Sequence, residues 1–179
     1  MFLHYGNYHV ICRGNRRMQL FYDARDYRTY LSLIRKAHKR YSFDLLAYCL
    51  MPNHVHLLIQ PKEDSLSDIM KLINGEYAIY FNLRRKEVGH VFQSRFNEKL
   101  VTGSTYLLDV CRYIHNNPVK AQLADHPSNY PWNSYPSYIT AHNPNNIVTH
   151  HILKCFPSPS IYHFQKFTEK RFTYDDGLL

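Results

Sequence analysis

The chain has 179 residues, a formal net charge of +8, and 16 tyrosines and 10 phenylalanines within a hydrophobic fraction of 45%. This composition excludes an intrinsically disordered chain and fits one domain of ordinary size. No apolar run approaches the roughly 18 residues that a membrane-spanning helix needs. The first nine residues lack the apolar stretch of a secretory signal, so we expect a cytoplasmic protein without a membrane partner.

The positive charge is concentrated in the first third of the chain. Residues 1–60 carry nine Lys or Arg against three Asp or Glu, whereas residues 121–179 carry four of each kind. An uneven basic distribution of this sort is typical of a surface that faces a polyanion. The four cysteines are scattered and form no C-x-x-C pair, which argues against a zinc ribbon or a redox pair and favours free thiols.

Hydrophobic periodicity predicts an alternation of strands and helices along residues 5–117. The predicted elements in chain order are a strand at 5–13, a helix to about 41, strands at 43–50 and 53–60, a helix at 65–85, a strand at 95–102 and a helix to about 117. Asp23 or Asp26, then Ser65, then Ser104 or Thr105 are the predicted helix caps. Pro118 is expected to end the last helix because proline lacks a backbone N–H.

The order β-α-β-β-α-β followed by a helix is the ferredoxin-like pattern, an α+β fold with an antiparallel sheet and its first two helices on one face. We therefore predict a domain at residues 1–123 and an extension at residues 124–179. The extension is expected to be irregular and to pack on the domain or on a ligand, because it is rich in helix-breaking prolines. These prolines are Pro127, Pro131, Pro136, Pro144, Pro157 and Pro159.

His54 and His56 lie two residues apart on the third predicted strand. Side chains two apart on a strand point to the same face, so both imidazoles can reach one metal ion. The alternative is a pair of sheet-face histidines that make ordinary hydrogen bonds.

Tyr113 and Asn117 lie one turn apart on the last predicted helix, and therefore on one of its faces. The alternative for Tyr113 is a ring that packs at the edge of the core. Tyr106, two turns earlier, is a rival nucleophile, but one turn after it lies Val110, which cannot bind metal. His115 lies about 200° around the helix from Tyr113, so we interpret it as structural.

Phosphodiester cleavage is the chemistry that unites these two pairs. Two imidazoles and a carboxamide oxygen make an open site that suits Mg²⁺ or Mn²⁺, with Zn²⁺ possible. A metal there would polarise a phosphate, and a tyrosine hydroxyl could attack it to give a 5′-phosphotyrosine and a free 3′-hydroxyl.

Two segments resemble the HUH single-tyrosine transposases of insertion sequences. Residues 51–59 (MPNHVHLLI) resemble their HUH motif, and residues 112–121 (RYIHNNPVKA) resemble the helix that carries their nucleophile. The resemblance extends over roughly residues 5–138 through four shorter matches, namely 8–10 (YHV), 13–15 (RGN), 91–96 (VFQSRF) and 130–135 (YPWNSY). It implies that Tyr113 is the nucleophile and that His54 and His56 are metal ligands.

Asn117 points to the REP-associated branch of this family, in which asparagine stands one turn after the tyrosine and completes the metal site. The branch implies cleavage of single-stranded DNA near a small hairpin from a repetitive extragenic palindrome, and a monomer rather than the dimer of mobile-element relatives. The extension would then pack on the domain or on DNA. Arg13, Asn15, Arg16 and Arg17 are candidate DNA-binding residues because they follow the first strand and are basic or carry an amide; the alternative is a solvated loop.

Two other functions stay open at this stage. One is a domesticated protein that binds hairpin DNA without cutting it, and the other is a metal-dependent hydrolase that forms no covalent intermediate. All four proposed site residues are present, which favours the active transposase.

Overall fold

A computed structural model describes residues 6–170. Strands β1 (Asn7–Arg13), β2 (Phe43–Met51), β3 (His54–Pro61) and β4 (Asn97–Val101) form one sheet in the order β2-β3-β1-β4. All three neighbouring pairs are antiparallel, and β3 lies between β1 and β2. The predicted α+β fold with an antiparallel sheet is therefore confirmed. Tyr5, at the start of the first predicted strand, lies outside the described residues.

Two long helices cover one face of the sheet. Helix α1 (Ala24–Arg40) begins after Asp23, whose carboxylate accepts hydrogen bonds from the backbone N–H groups of residues 25 and 26. Of the two predicted cap residues, Asp23 and Asp26, the cap is therefore Asp23. Helix α2 (Leu66–Arg85) is capped by Ser65 as predicted. The Asn74 amide of α2 lies 3.1 Å from the Cys12 sulfur of β1, which places α2 over the face that carries Val10 and Cys12.

Helix α3 (Ser104–Lys120) departs from the prediction at both ends. Neither Ser104 nor Thr105 caps it; the cap residue is Gly103, whose positive φ of 79° turns the chain into the helix without a side-chain hydrogen bond. At the other end the helix continues past Pro118 to Lys120. The backbone N–H of Ala121 donates to the Asn117 carbonyl and that of Leu123 to the Pro118 carbonyl, so hydrogen bonds on either side of the proline hold the last turn.

The extension is more regular than predicted. It contains a 3₁₀ turn at Pro127–Asn129 and helices α4 (Pro136–Ile139), α5 (His150–Leu153) and α6 (Ser160–Glu169). Pro127 and Pro136 occupy the first turn of their helices, and Pro159 directly precedes α6. At such positions the missing N–H costs no hydrogen bond, so these prolines begin helices instead of breaking them. Residues 171–179 of the predicted extension lie outside the described part of the chain.

The extension packs on the domain, which was one of its two expected roles. The backbone N–H of Leu50 donates to the Trp132 carbonyl at 2.9 Å, and the N–H of Ser134 donates to the Tyr48 carbonyl at 3.0 Å. The segment thereby covers the β2 edge of the sheet, whereas residues 97–100 of the opposite edge strand, β4, are exposed.

Helix α6 holds α3 through two hydrogen bonds. The Asn116 amide donates to the Thr168 carbonyl at 2.9 Å, and the Arg112 guanidinium donates to the Lys170 carbonyl at 2.5 Å. The Phe164 ring of α6 also lies 6.0 Å from the His115 ring of α3 and stacks on Tyr138 of α4 at 4.6 Å, so α6 contacts both helices through its rings.

Cys12, Cys49, Cys111 and Cys155 are free thiols, and the first three are buried. Between residues 6 and 170, no helix has the length and apolar character required to cross a bilayer.

Candidate metal and nucleophile site

The sheet face turned away from α1 and α2 carries the predicted histidines. Strand pairing sets His56 opposite Ile11 and His54 opposite Arg13, so these side chains share one face. The rings of His54 and His56 lie 4.8 Å apart between centroids and are almost perpendicular. The shared face predicted from the two-residue spacing is therefore observed.

A third histidine, His9, belongs to the same cluster and was not singled out by the sequence analysis. Its Nε2 lies 3.0 Å from Nδ1 of His56, and both side chains are almost completely buried. The available signal was alternation: once Val10 and Cys12 are assigned to the helix-covered face, His9 and Arg13 must point to the other face. The matched segment 8–10 (YHV) pointed to the same residue.

Helix α3 brings Tyr113 against this cluster. The Tyr113 ring lies 5.6 Å from the His56 ring and 6.0 Å from the His9 ring, edge to face in both cases. Only 9% of Tyr113 is exposed, and the Lys120 ammonium lies 5.1 Å from the ring centroid. A cation and two imidazoles therefore surround the candidate nucleophile.

Asn117 follows Tyr113 by one turn and is 8% exposed. Its amide nitrogen donates to the Tyr113 carbonyl at 3.0 Å. The hydrogen bond fixes the orientation of the amide and leaves its oxygen, Oδ1, as the atom that can accept or ligate.

Hydrogen bonds determine which ring nitrogen of His54 can bind a metal. The Nδ1 atom lies 2.7 Å from Oδ1 of Asn53, and the other end of that amide donates to the Arg17 carbonyl. Because a carbonyl oxygen can only accept, Nδ1 of His54 carries the proton and Nε2 keeps its lone pair.

The ring of His56 is also held through Nδ1, which lies 3.0 Å from Nε2 of His9. Its own Nε2 is buried and has no hydrogen-bond partner among residues 6–170. A buried polar nitrogen without a partner is costly, and a bound cation would satisfy it. The residues present therefore fit a metal ion.

Burial lowers the pKa of His9 and of His54 to about 4, with Lys99 adding to the effect at His9 and Arg13 at His54. Burial also holds the pKa of His56 well below its usual range, with smaller contributions from His54, His9 and Arg13. All three imidazoles are neutral at pH 7, which is the form that binds metal ions. Within residues 6–170 no three His, Cys, Asp or Glu side chains are arranged to hold one metal ion.

The four candidate DNA-binding residues divide into two groups. Arg13 lines a cleft of about 470 Å³ together with His9, Lys99 and residues 93–94. Arg16 and Arg17 are exposed on the adjoining 3₁₀ turn, both with positive φ, and the Asn15 backbone N–H donates to the Val91 carbonyl. Arg13 is thus the member of the set that lies beside the histidines.

A family model described as "Transposase IS200 like" matches residues 3–117, which is more than half of the chain. The chain belongs to the IS200-like transposase family. The family resemblance stated from the motifs is therefore confirmed, and the matched range includes Tyr113, Asn117 and all three clustered histidines of this transposase.

Two relatives of this IS200-like transposase are REP-associated tyrosine transposases. A curated protein of that description from Haemophilus influenzae is 27% identical over 121 residues, which cover 59% of this chain and 69% of the relative. A solved structure of a REP-associated tyrosine transposase bound to a REP hairpin superposes with a TM-score of 0.66 at 20% identity. That match covers 82% of this chain and 87% of the other, and it supports the fold.

Proposed function

We propose that this IS200-like transposase is a metal-dependent single-stranded DNA endonuclease and strand transferase that cuts beside a hairpin through Tyr113. One observation carries the proposal: the Tyr113 ring packs against the His56 imidazole, whose Nε2 is buried and has no hydrogen-bond partner within residues 6–170. A tyrosine beside an imidazole nitrogen that can bind a metal ion suits metal-assisted phosphodiester cleavage.

His54, His56 and Asn117 would hold Mg²⁺ or Mn²⁺. The ion, when bound, would polarise the scissile phosphate and offset the negative charge that develops on it. The protein prepares for this by keeping both imidazoles neutral and by fixing their Nδ1 atoms with Asn53 and His9, so that the two Nε2 atoms are the ligating ones.

Tyr113 would make the covalent bond. Its hydroxyl oxygen bonds to the phosphorus, the bond to the 3′ oxygen breaks, and the tyrosine proton ends on that 3′ oxygen. The products are a 5′-phosphotyrosine and a free 3′-hydroxyl. Because the phosphotyrosine keeps the energy of the broken bond, a 3′-hydroxyl can reverse the step and join strands.

Hairpin DNA with single-stranded flanks is the proposed substrate. The relative of similar fold was solved bound to a REP hairpin. In this chain Arg13 and Lys99 line the cleft beside the histidines, and Lys120 lies over the tyrosine ring. These cations would hold the phosphates next to the point of cleavage.

The test uses an end-labelled oligonucleotide that contains the inverted repeat nearest the gene, with single-stranded flanks, incubated with Mg²⁺ or Mn²⁺. We expect a protein-linked band on a denaturing gel that is absent with a chelator and absent for Tyr113→Phe. Binding without a covalent band in either metal would identify a hairpin-binding protein that has lost its chemistry. Free products that persist in Tyr113→Phe would identify a hydrolase without a covalent intermediate.

A further inference from the structure

A second cavity, of about 670 Å³, lies between helix α2 and the segment that leads from α2 to β4. Met70 and Ala78 line it on the α2 side, and Phe92 and Phe96 line it on the side of the segment. Both phenylalanines are half-buried, so each presents part of its ring to the cavity. The volume is in the range of pockets that bind small planar ligands.

Gly75, in the middle of α2, lines this cavity. A Cβ atom added there would meet nothing within 4 Å, so close packing does not demand glycine. Its φ is not positive either, so the backbone conformation does not demand glycine. Glycine in the middle of a helix is less stable than alanine. Gly75 is therefore a lining position at which a larger side chain can be introduced to fill the cavity.

The cavity adjoins the candidate catalytic cleft. Gln93 and Ser94 line both spaces, so one short stretch of backbone is shared by the cavity and the cleft. The stretch is held in place at both ends: the Gln93 N–H donates to the Arg13 carbonyl at 2.9 Å, and the Asn74 amide donates to the Arg95 carbonyl at 3.1 Å. The wall between the cavity and the cleft is therefore a fixed part of the structure.

The rim of the cavity is cationic. Lys71 and Arg95 line it and are exposed, and in the described part of the chain neither of them forms an ion pair. Asp68 also lines it, but its carboxylate already accepts the Ser65 hydroxyl at the helix start. An apolar, aromatic interior with basic groups at its mouth suits an aromatic base joined to a phosphate.

We propose that this cavity binds one unstacked nucleobase of the single strand that runs to the cleavage site. The inference rests on the proposed function for the identity of the strand. Phe92 and Phe96 offer the stacking surfaces, Lys71 and Arg95 lie where the flanking phosphates would pass, and Gln93 and Ser94 connect the bound base to the cleft beside Arg13.

The test is binding, measured by fluorescence anisotropy in a chelator so that no cleavage occurs. The probe is a DNA hairpin with an eight-thymidine flank on each side, since stacking on aromatic side chains tolerates any base. Gly75→Leu fills the cavity from an open position, and we expect it to weaken binding about tenfold, the effect of losing one stacked base. Gly75→Ala, which adds one methyl group, should bind like the parent protein.

A matched control and a matched probe make the result decisive. Ser32→Leu introduces the same side chain at an exposed position of α1 and should leave binding unchanged. A probe whose flanks are abasic should bind the parent protein about tenfold more weakly, and Gly75→Leu should no longer distinguish the two probes. Parental affinity in Gly75→Leu, or equal affinity of the parent protein for both probes, would overturn the proposal.

The binding test of the cavity can fail or succeed independently of the cleavage test of the proposed function. If Gly75→Leu weakens binding as expected but the parent protein forms no covalent band with metal, the pocket stands and the nuclease proposal fails. If the parent protein forms the band and Gly75→Leu binds the thymidine probe normally, the nuclease stands and the pocket fails.

Discussion

The two faces of the sheet are built on different principles. Towards α1 and α2 the strands present Val10, Val55 and Leu57, which are fully buried apolar side chains. Towards α3 the same strands present His9 and His56, which are buried just as deeply. Burial of valine or leucine stabilises the fold, whereas burial of an imidazole disfavours its charged form. The lowered pKa values of His9 and His56 show this penalty. The face towards α1 and α2 therefore stabilises the fold, and the face towards α3 holds buried imidazoles in their neutral form.

Adjacent substitutions on β3 give the sharpest contrast between the faces. His56→Ala should lower the rate of covalent adduct formation about a thousandfold or more, because it removes a proposed ligand of an ion that would stabilise the transition state by several kcal/mol. Leu57→Ala should instead lower the free energy of unfolding by about 2–5 kcal/mol and leave the adduct rate of the folded fraction near that of the parent.

Both variants are measured by gel assay for the adduct and by urea unfolding for stability. Hairpin binding should persist in His56→Ala, since phosphate contacts supply most of the affinity. If His56→Ala loses binding together with cleavage, or unfolds like Leu57→Ala, the histidines serve the fold and the contrast between the faces disappears.

The partners of the two histidines provide the next test. His9→Phe and Asn53→Leu remove the groups that hold Nδ1 of His56 and of His54, and each should weaken Mn²⁺ binding about 10–100-fold. Calorimetric titration of the protein with Mn²⁺ measures this without DNA. Tyr113→Phe is the control and should bind Mn²⁺ normally; unchanged affinity in His9→Phe would show that His9 only fills space.

A buried histidine away from the metal site tests the cost of burial itself. His115 is fully buried, its Nε2 lies 2.9 Å from the Ser134 hydroxyl, and burial lowers its pKa to about 3. At pH 5 the unfolded chain binds a proton that the folded chain excludes, so stability falls as the pH drops below about 6.5 and continues to fall towards pH 3.

The difference in unfolding free energy between pH 7 and pH 5 should be about 2 kcal/mol smaller for His115→Gln than for the parent. Urea unfolding at both pH values, without added metal, measures it. The remaining decline in the variant would come from the other buried histidines. Equal declines in the two proteins would show that His115 is not held neutral.

The smallest expected effect concerns the basic residues around the site. Arg13→Gln should reduce the slope of log binding constant against log salt concentration by about one, the effect of one lost phosphate contact. Lys39→Gln is the matched control on α1 and should leave the slope unchanged. A change in sequence preference instead of the salt slope would assign Arg13 to a base.

Local patterns predicted the element order and the shared face of His54 and His56, because alternation and helical spacing are properties of neighbouring residues. They were insufficient wherever a contact depends on residues that are far apart in the sequence. His9 contacts His56 because β1 pairs with β3. The strand register sets Ile11 opposite His56, so His9, two residues from Ile11 on the same face, reaches His56 diagonally. The passage of α3 through Pro118 depends on hydrogen bonds from residues beyond the predicted end.

The helices of the extension were missed for a related reason. Proline counts predict irregular chain only when the prolines fall inside a helix, and here Pro136 and Pro159 stand at helix starts. Helix α6 is then held by contacts with α3, including the Asn116 hydrogen bond, that no local window of sequence contains.

The attachment of α3 to α6 has a consequence for how many DNA ends one chain can hold. Arg112 and Asn116, on either side of Tyr113, donate to the Lys170 and Thr168 carbonyls at the end of α6, which favours the proposal that Tyr113 acts with the histidines of its own chain. Two inactive variants, Tyr113→Phe and His56→Ala, should then fail to restore each other when mixed. A chain that carries one phosphotyrosine can retain one DNA end at a time, so moving a segment with two ends would take two chains or two successive cuts.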